Sequence, residues 1–197
     1  MTERTWLLCD YGEVLSHAPS EDDRAELADL AGAARELFWS DYWSSRTDYD
    51  RGALSNQEYW DVVLGHPVEP DLLLRLMELD ARMWSRPRES SLRAAHGAAA
   101  HGLRLAILSN APAALADAFD RLDWLSPFSP RLFSGHLGVV KPDPRIYRTA
   151  LEVLGAPASR VIFVDDRPEN VAAARALGID GRVFEGAATL ADIAPLI

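Results

Sequence analysis

Three apolar runs of strand length stop abruptly on residues that carry chemistry. WLLC at 6–9 stops at Asp10, LRLAIL at 103–108 stops at Ser109 and Asn110, and VIFV at 161–164 stops at Asp165 and Asp166. Continuous apolar runs, with no alternation, suit strands buried on both faces. Residues 16 to 85 lack such runs. Their pattern predicts a helix from Glu21 to about Arg46, with the acids of EDD near its start suiting a helix N-terminus. Ser55, with Glu58 three residues on, predicts a capping box for a second helix ending near Leu64, and a third follows Pro70. From residue 88 helices and strands alternate. SSLRAAHGAAAHG and PAALADAFDRL read as helices around the second strand. Asp143 and Pro144 open another helix, RPENVAAARALG follows the VIFVDD strand, and RVFEG gives a short last strand. A terminal helix should pack by Leu190, Ile193 and Leu196. This rhythm predicts an α/β fold: a parallel sheet with right-handed crossovers, covered by helices on both faces. Its core would be residues 1–15 and 86–197. Residues 16–85 form an all-helical insert over the rim of the sheet.

Composition narrows the partners. The chain has 197 residues, and 30 acids against 20 bases give a net charge of -10, which argues against nucleic acid. No apolar run reaches the length of a membrane span, and the start of the chain lacks signal-peptide architecture. The single cysteine, Cys9, fits a reducing cytoplasm. It sits in WLLC beside Asp10, so it reads as a buried strand thiol whose pKa the acid raises.

Acids after buried strands lie at the carboxyl-end rim, where open α/β sheets keep their sites. Asp10, Asp165 and Asp166 brought together there repel one another unless a cation sits between them. The bland alternative is that they cap the helices that follow. Ser109 and Asn110, a hydroxyl and an amide before a helix N-terminus, suit a phosphate. Lys141, just before a rigid Pro-Asp-Pro helix start, could pair with both a carboxylate and a phosphoryl oxygen; otherwise it is an exposed loop lysine. Asp166 and Asn170, four residues apart, can face one point. Phe38, Trp39, Tyr42 and Trp43 form a stripe that reads as packing. Trp39, Trp43, Arg46, Trp60, Asp80 and Trp84 are candidates to line the underside of the insert.

The order and spacing of DYGEVL, ILSN at 107–110, KPDPRIY at 141–147 and VIFVDDRPENVAAARALG at 161–178 span essentially the whole chain. Together they resemble the haloacid dehalogenase superfamily of hydrolases, in the subclass with a helical cap after the first motif. Within it the chain is similar to the phosphatase domain of soluble epoxide hydrolases and to bacterial sugar-1-phosphate phosphatases. The resemblance implies a Rossmann-like core and a magnesium-dependent phosphatase acting on a small phosphorylated metabolite. Asp10 would be the nucleophile that takes up the phosphoryl group, with Ser109, Asn110 and Lys141 holding that group. Asp10, Asp166 and the backbone carbonyl of Gly12 would hold Mg²⁺, with Asp165 and Asn170 in support.

Position 12 departs from the pattern. Most phosphatases of the superfamily carry D-x-D, with the second aspartate protonating the leaving group; here the triplet is DYG. The backbone carbonyl remains, but the acid is gone. A slow enzyme or a non-catalytic interaction module is therefore the alternative, and a metal-independent 2-haloacid dehalogenase is a further one. An acid elsewhere could replace the missing one, with Asp80 in the insert the first candidate. Glu13 is a poor substitute on position alone.

Overall fold

The computed structural model describes residues 5–193, which leaves Leu196 of the expected terminal packing outside the described residues. The strands are β1 (Trp6–Cys9), β2 (Arg104–Ser109), β3 (Phe128–Phe133), β4 (Val161–Asp165) and β5 (Asp180–Val183). Between β1 and β2 run α1 (Glu21–Ala31), α2 (Arg35–Ser44), α3 (Arg46–Asp50), α4 (Asn56–Leu64), α5 (Pro70–Trp84) and α6 (Glu89–Ala100). The rest of the chain carries α7 (Ala113–Phe119), α8 (Ser134–Leu137), α9 (Pro144–Leu154), α10 (Pro168–Ala176) and α11 (Ala187–Ala191).

The five strands are all parallel, in the order β3-β2-β1-β4-β5. Central β1 therefore pairs with β2 on one side and β4 on the other, and the winding reverses there. That reversal opens a crevice beyond the carboxyl ends of β1 and β4, the place where doubly wound sheets bind ligands. Alternate residues of each strand face opposite layers. Leu7, Cys9, Ile107 and Val164 pack with Leu92, Leu115 and Leu190 on one side. Leu8, Leu108 and Phe163 pack with Ile146, Tyr147 and Ala150 on the other.

Helices α1, α2, α4 and α5 enclose an apolar cluster of their own, with Leu27, Phe38, Tyr42, Tyr59, Trp60, Leu76 and Met83 at its centre. The chain enters and leaves this helical segment side by side. His17 N–H donates to the Arg86 carbonyl at 2.9 Å, and Arg88 N–H to the Leu15 carbonyl at 2.8 Å. Trp84 is partly buried against both this cluster and the first face of the sheet.

Two elements differ from expectation. The helix expected from Glu21 to Arg46 is three: Gly32, at φ 65°, ends α1 in the left-handed conformation that glycine adopts without steric cost. The chain then restarts at α2 and again at α3. FSPRLF, to which the sequence pattern assigned no element, is strand β3. It lies at the sheet edge, where Pro130 removes a donor that no neighbouring strand requires. The capping box of Ser55 and Glu58 forms as expected, and Ser20 makes another with Asp23. Among the described residues no helix is long and apolar enough to cross a membrane.

Candidate active site

The strand ends bring the predicted acids together. Asp10 follows β1, Asp165 ends β4 and Asp166 follows it; one carboxylate oxygen from each lies within 4.8 Å of the others. Lys141 stands among them. Its side chain is 1% exposed, and its Nζ lies 2.9 Å from Asp10 Oδ1 and 2.6 Å from Asp165 Oδ2, with the Leu108 carbonyl accepting at 3.0 Å. The loop-lysine alternative is thereby excluded. Burial works against its charge, but Asp10 and Asp165 outweigh burial and raise its pKa above that of an ordinary lysine.

Each carboxylate has a different set of partners. Asp165 is fully buried and saturated: Lys141 Nζ, the Arg167 N–H at 2.9 Å and Asn170 Nδ2 at 2.9 and 3.1 Å all donate to it. Asp10 Oδ1 accepts the Tyr11 N–H at 2.7 Å, and Ser109 lines the same cavity. Burial, opposed by Lys141 and reinforced by Asp165, pushes the Asp10 carboxyl up to about 6. Asp166 is only partly buried, and burial, Asp165 and Glu13 raise its carboxyl. All the convergent donors are oxygens, and three carboxylates face one ammonium. Such a set fits a hard divalent cation, which takes oxygen ligands and offsets the excess negative charge.

Both asparagines have structural partners. Asn110 Nδ2 donates to the Lys141 carbonyl at 3.0 Å and its Oδ1 accepts the Lys141 N–H at 2.8 Å. Its side chain thus fixes the backbone of Lys141, and Asn110 itself lines the cavity that Asp10, Ser109 and Lys141 share. Asn170 bonds Asp165 and not Asp166, so the shared point inferred from its spacing is the other acid. Cys9 is fully buried and its thiol is pushed up, by burial first and then by Asp10, as expected of a strand thiol.

A cavity of about 430 Å³ opens over these groups. Asp10, Ser109, Lys141, Asp166 and Asn170 line its floor; Trp43, Arg46, Thr47, Asp50 and Trp84 reach it from the helical segment. A larger groove, about 740 Å³, lies between α1 and α5, lined by surface charges such as the Glu26–Arg82 pair around Ala25, Leu30 and Leu79. Chemistry, not size, locates the site. Trp39, Trp60 and Asp80, expected to line the insert's underside, do not reach this cavity. Asp80 is fully buried, with the Tyr42 hydroxyl at 2.7 Å and Arg46 Nη1 at 3.5 Å. It cannot supply a proton to the site. Thr47 and Asp50 were not foreseen, because nothing in their local sequence marks which side of α3 meets the sheet. Trp43 belongs to the cavity wall instead of the packing stripe: it is 48% exposed, whereas Phe38 and Tyr42 are buried. Glu13 also lines the cavity, at φ 59°, the single positive φ among described residues other than glycine.

The sequence signature of the haloacid dehalogenase-like hydrolases matches residues 17–178. The chain is 40% identical over 79 residues to a plasmid-encoded phosphoglycolate phosphatase of Cupriavidus necator, covering 40% of this chain and 34% of that protein. It therefore spans about a third of that relative's length. It is 26% identical over 172 residues to a sesquiterpene phosphatase of Aspergillus oryzae, covering 75% of this chain and 84% of that protein. Among solved structures, a haloacid dehalogenase family enzyme from Bacteroides thetaiotaomicron, in complex with magnesium and inorganic phosphate, superposes with a TM-score of 0.71. The superposition covers 91% of this chain and 93% of that one at 18% identity, a likeness of fold.

Proposed function

The chain belongs to the haloacid dehalogenase-like hydrolase family, and from that premise we propose that it is a magnesium-dependent phosphatase of a small phosphorylated metabolite, acting through an aspartyl-phosphate. One observation carries this reading: the buried Lys141 ammonium sits between Asp10 and Asp165, with Asp166 beside them. A carboxylate can attack a phosphoryl dianion only where positive charge offsets the repulsion. Asp10 attacks phosphorus, and the bond to the leaving oxygen breaks. Lys141 and the Ser109 hydroxyl face the transferred oxygens, and Asp165, Asn170 and Asn110 keep Lys141 in place. Water then attacks the phosphorus of the acyl phosphate, releasing inorganic phosphate and restoring the Asp10 carboxylate. Asp10, Asp166 and the Gly12 carbonyl would hold Mg²⁺. Bound there, the ion supplies Lewis-acid stabilisation of the phosphoryl oxygens. Residues 16–85 act as a cap domain on a core made of residues 1–15 and 86–197, and the cavity between them suits a small metabolite. The lone buried Cys9 accords with a reducing, cytoplasmic setting.

A metal-independent dehalogenase would have no use for Asp166 beside Asp10 and Asp165, whose mutual repulsion would stay uncompensated. A pure interaction module would have no use for a lysine buried among acids. The test is turnover of 4-nitrophenyl phosphate and a panel of phosphorylated metabolites by the purified protein. Turnover should be lost in EDTA, return with Mg²⁺, and disappear in Asp10→Asn. Activity retained by that variant would sink the covalent mechanism.

A further inference from the structure

The position that lacks its acid is covered by an aromatic ring. A β-carbon built on Gly12 would lie 3.6 Å from Trp84 Cζ3, its nearest neighbour outside the adjoining chain and the only one within 4 Å. That is ordinary van der Waals contact, so the indole borders the space above Gly12 without filling it. Trp84 is anchored from both sides: it packs against the helical cluster and the sheet core, and its carbonyl accepts the Tyr11 hydroxyl at 2.9 Å. The tyrosine is itself stacked on Phe119 at 4.2 Å.

Trp43 completes a corner. Its ring stands nearly perpendicular to that of Trp84, at 87° with centroids 6.4 Å apart, and both rings line the cavity with Phe119, Leu115 and Val140. Such a corner offers one ring face and one ring edge to a flat guest, the two contacts that aromatic quadrupoles favour. The polar floor of Asp10, Ser109 and Lys141 lies in the same cavity. Of the cations in the cavity, Lys141 and Arg46 are already paired with carboxylates, and Glu13, Asp50 and Asp166 line the walls. Arg167 is an exposed cation lining the same cavity.

We propose that Trp84 and Trp43 form a leaving-group subsite that selects phosphomonoesters of aromatic alcohols. This rests on the phosphatase reading of the floor. Chemistry and packing agree on the class. With no acid at position 12, the P–O bond breaks with its electron pair left on the departing oxygen. A phenolate, of conjugate-acid pKa about 10, bears that charge far better than an alkoxide, whose alcohol resembles water at about 16. The phenolate takes its proton from water afterwards, and hydrolysis of the aspartyl-phosphate consumes one water. The net reaction is aryl phosphate plus water to phenol plus hydrogen phosphate.

Two measurements test the subsite, one of them independent of turnover. Calorimetric binding of phenylphosphonate and methylphosphonate, with inorganic phosphate as the reference for the floor, should favour phenyl by about tenfold in wild type, a fold-change in keeping with one or two aromatic contacts. Trp84→Ala and Trp43→Ala should each reduce that ratio; Trp43 is the safer variant because its side chain is half exposed. In kinetics, kcat/KM should fall steeply from aryl to alkyl phosphates. Gly12→Asp should raise the alkyl-to-aryl ratio by at least tenfold, since general acids contribute about 10² to 10⁴. Equal phosphonate affinities, or a phenyl preference untouched in both tryptophan variants, would overturn the subsite even if phosphoesters are hydrolysed. A phenyl preference in a protein that hydrolyses nothing would uphold the subsite and sink the phosphatase reading. Binding of none of the three ligands would sink both.

Discussion

The placement that arms Asp10 also costs stability, and the cost can be measured without any substrate. Asp10 is 7% exposed; burial pushes its carboxyl from 3.8 to about 6, with Lys141 opposing and Asp165 adding to the rise. A carboxyl that holds its proton more tightly folded than unfolded destabilises the fold once pH exceeds both values. Below about pH 4 it is protonated in both states and contributes nothing. As pH rises toward about 6 the unfolded chain ionises first and stability falls; above that the deficit is complete. At about 1.4 kcal/mol per pH unit, the gap from 3.8 to about 6 amounts to about 3 kcal/mol. Asp10→Asn keeps the shape and removes the charge. In EDTA, urea denaturation from pH 4 to pH 7 should show the variant gaining on wild type by about 3 kcal/mol across that range. Magnesium at 100 times its Kd should return about 2.7 kcal/mol to wild type at pH 7 and far less to the variant. A stability difference that is flat with pH, or that grows toward acid, would show that Asp10 is not held ionised against burial.

Two further substitutions probe its neighbours. Asp166→Asn should raise the Mg²⁺ concentration for half-maximal hydrolysis of an aryl phosphate at least tenfold, read from a metal titration of the rate. Lys141→Met strands Asp165, fully buried, and Asp10 without a cation. It should abolish turnover and lower unfolding free energy by about 3 to 5 kcal/mol at pH 7.5. Stability should partly recover at pH 5, where the stranded Asp10 carboxyl can take up a proton, as compared by urea midpoints at the two pH values.

What the sequence conveyed, and what it withheld, follows the range of the interactions. Strands β1, β2 and β4 were legible because burial on both faces writes an unbroken apolar run that ends where the chemistry begins. Strand β3 was hidden: Ser129, Pro130 and Arg131 are tolerated only because an edge strand has one bonded side. The break after Ala31 was hidden too, since Ala34 caps α2 without a side-chain bond and nothing local announces the restart. The acids, Ser109 and Lys141 were found by residue type and position after strands. The partners of the asparagines were not, because Asn110 reaches 31 residues along the chain to its partner. Likewise, helical periodicity placed Trp39 and Trp43 in one stripe. It could not say that one row of that stripe would meet its own helices and the other a cavity over the sheet.

The three carboxylates are unequal, and the inequality shows where a cation belongs. Asp165 has both oxygens occupied, by Lys141, Asn170 and the Arg167 N–H, so its charge is already answered within the protein. Asp10 has one oxygen, Oδ1, held by Lys141 and the Tyr11 N–H. A carboxylate gripped at one oxygen is oriented, and under the proposed mechanism Oδ2, which neither of those groups grips, would be the oxygen presented to phosphorus. Asp166 takes no part in the lysine's ion pairs, and burial, then Asp165 and Glu13, press it toward holding a proton. A divalent cation that binds Asp166 and Asp10 together relieves the repulsion that Lys141, committed to Asp165, leaves in place. The lysine therefore anchors Asp10 to the sheet, and under the proposed mechanism Asp166, nearest the solvent, is where a metal from solution would gain most.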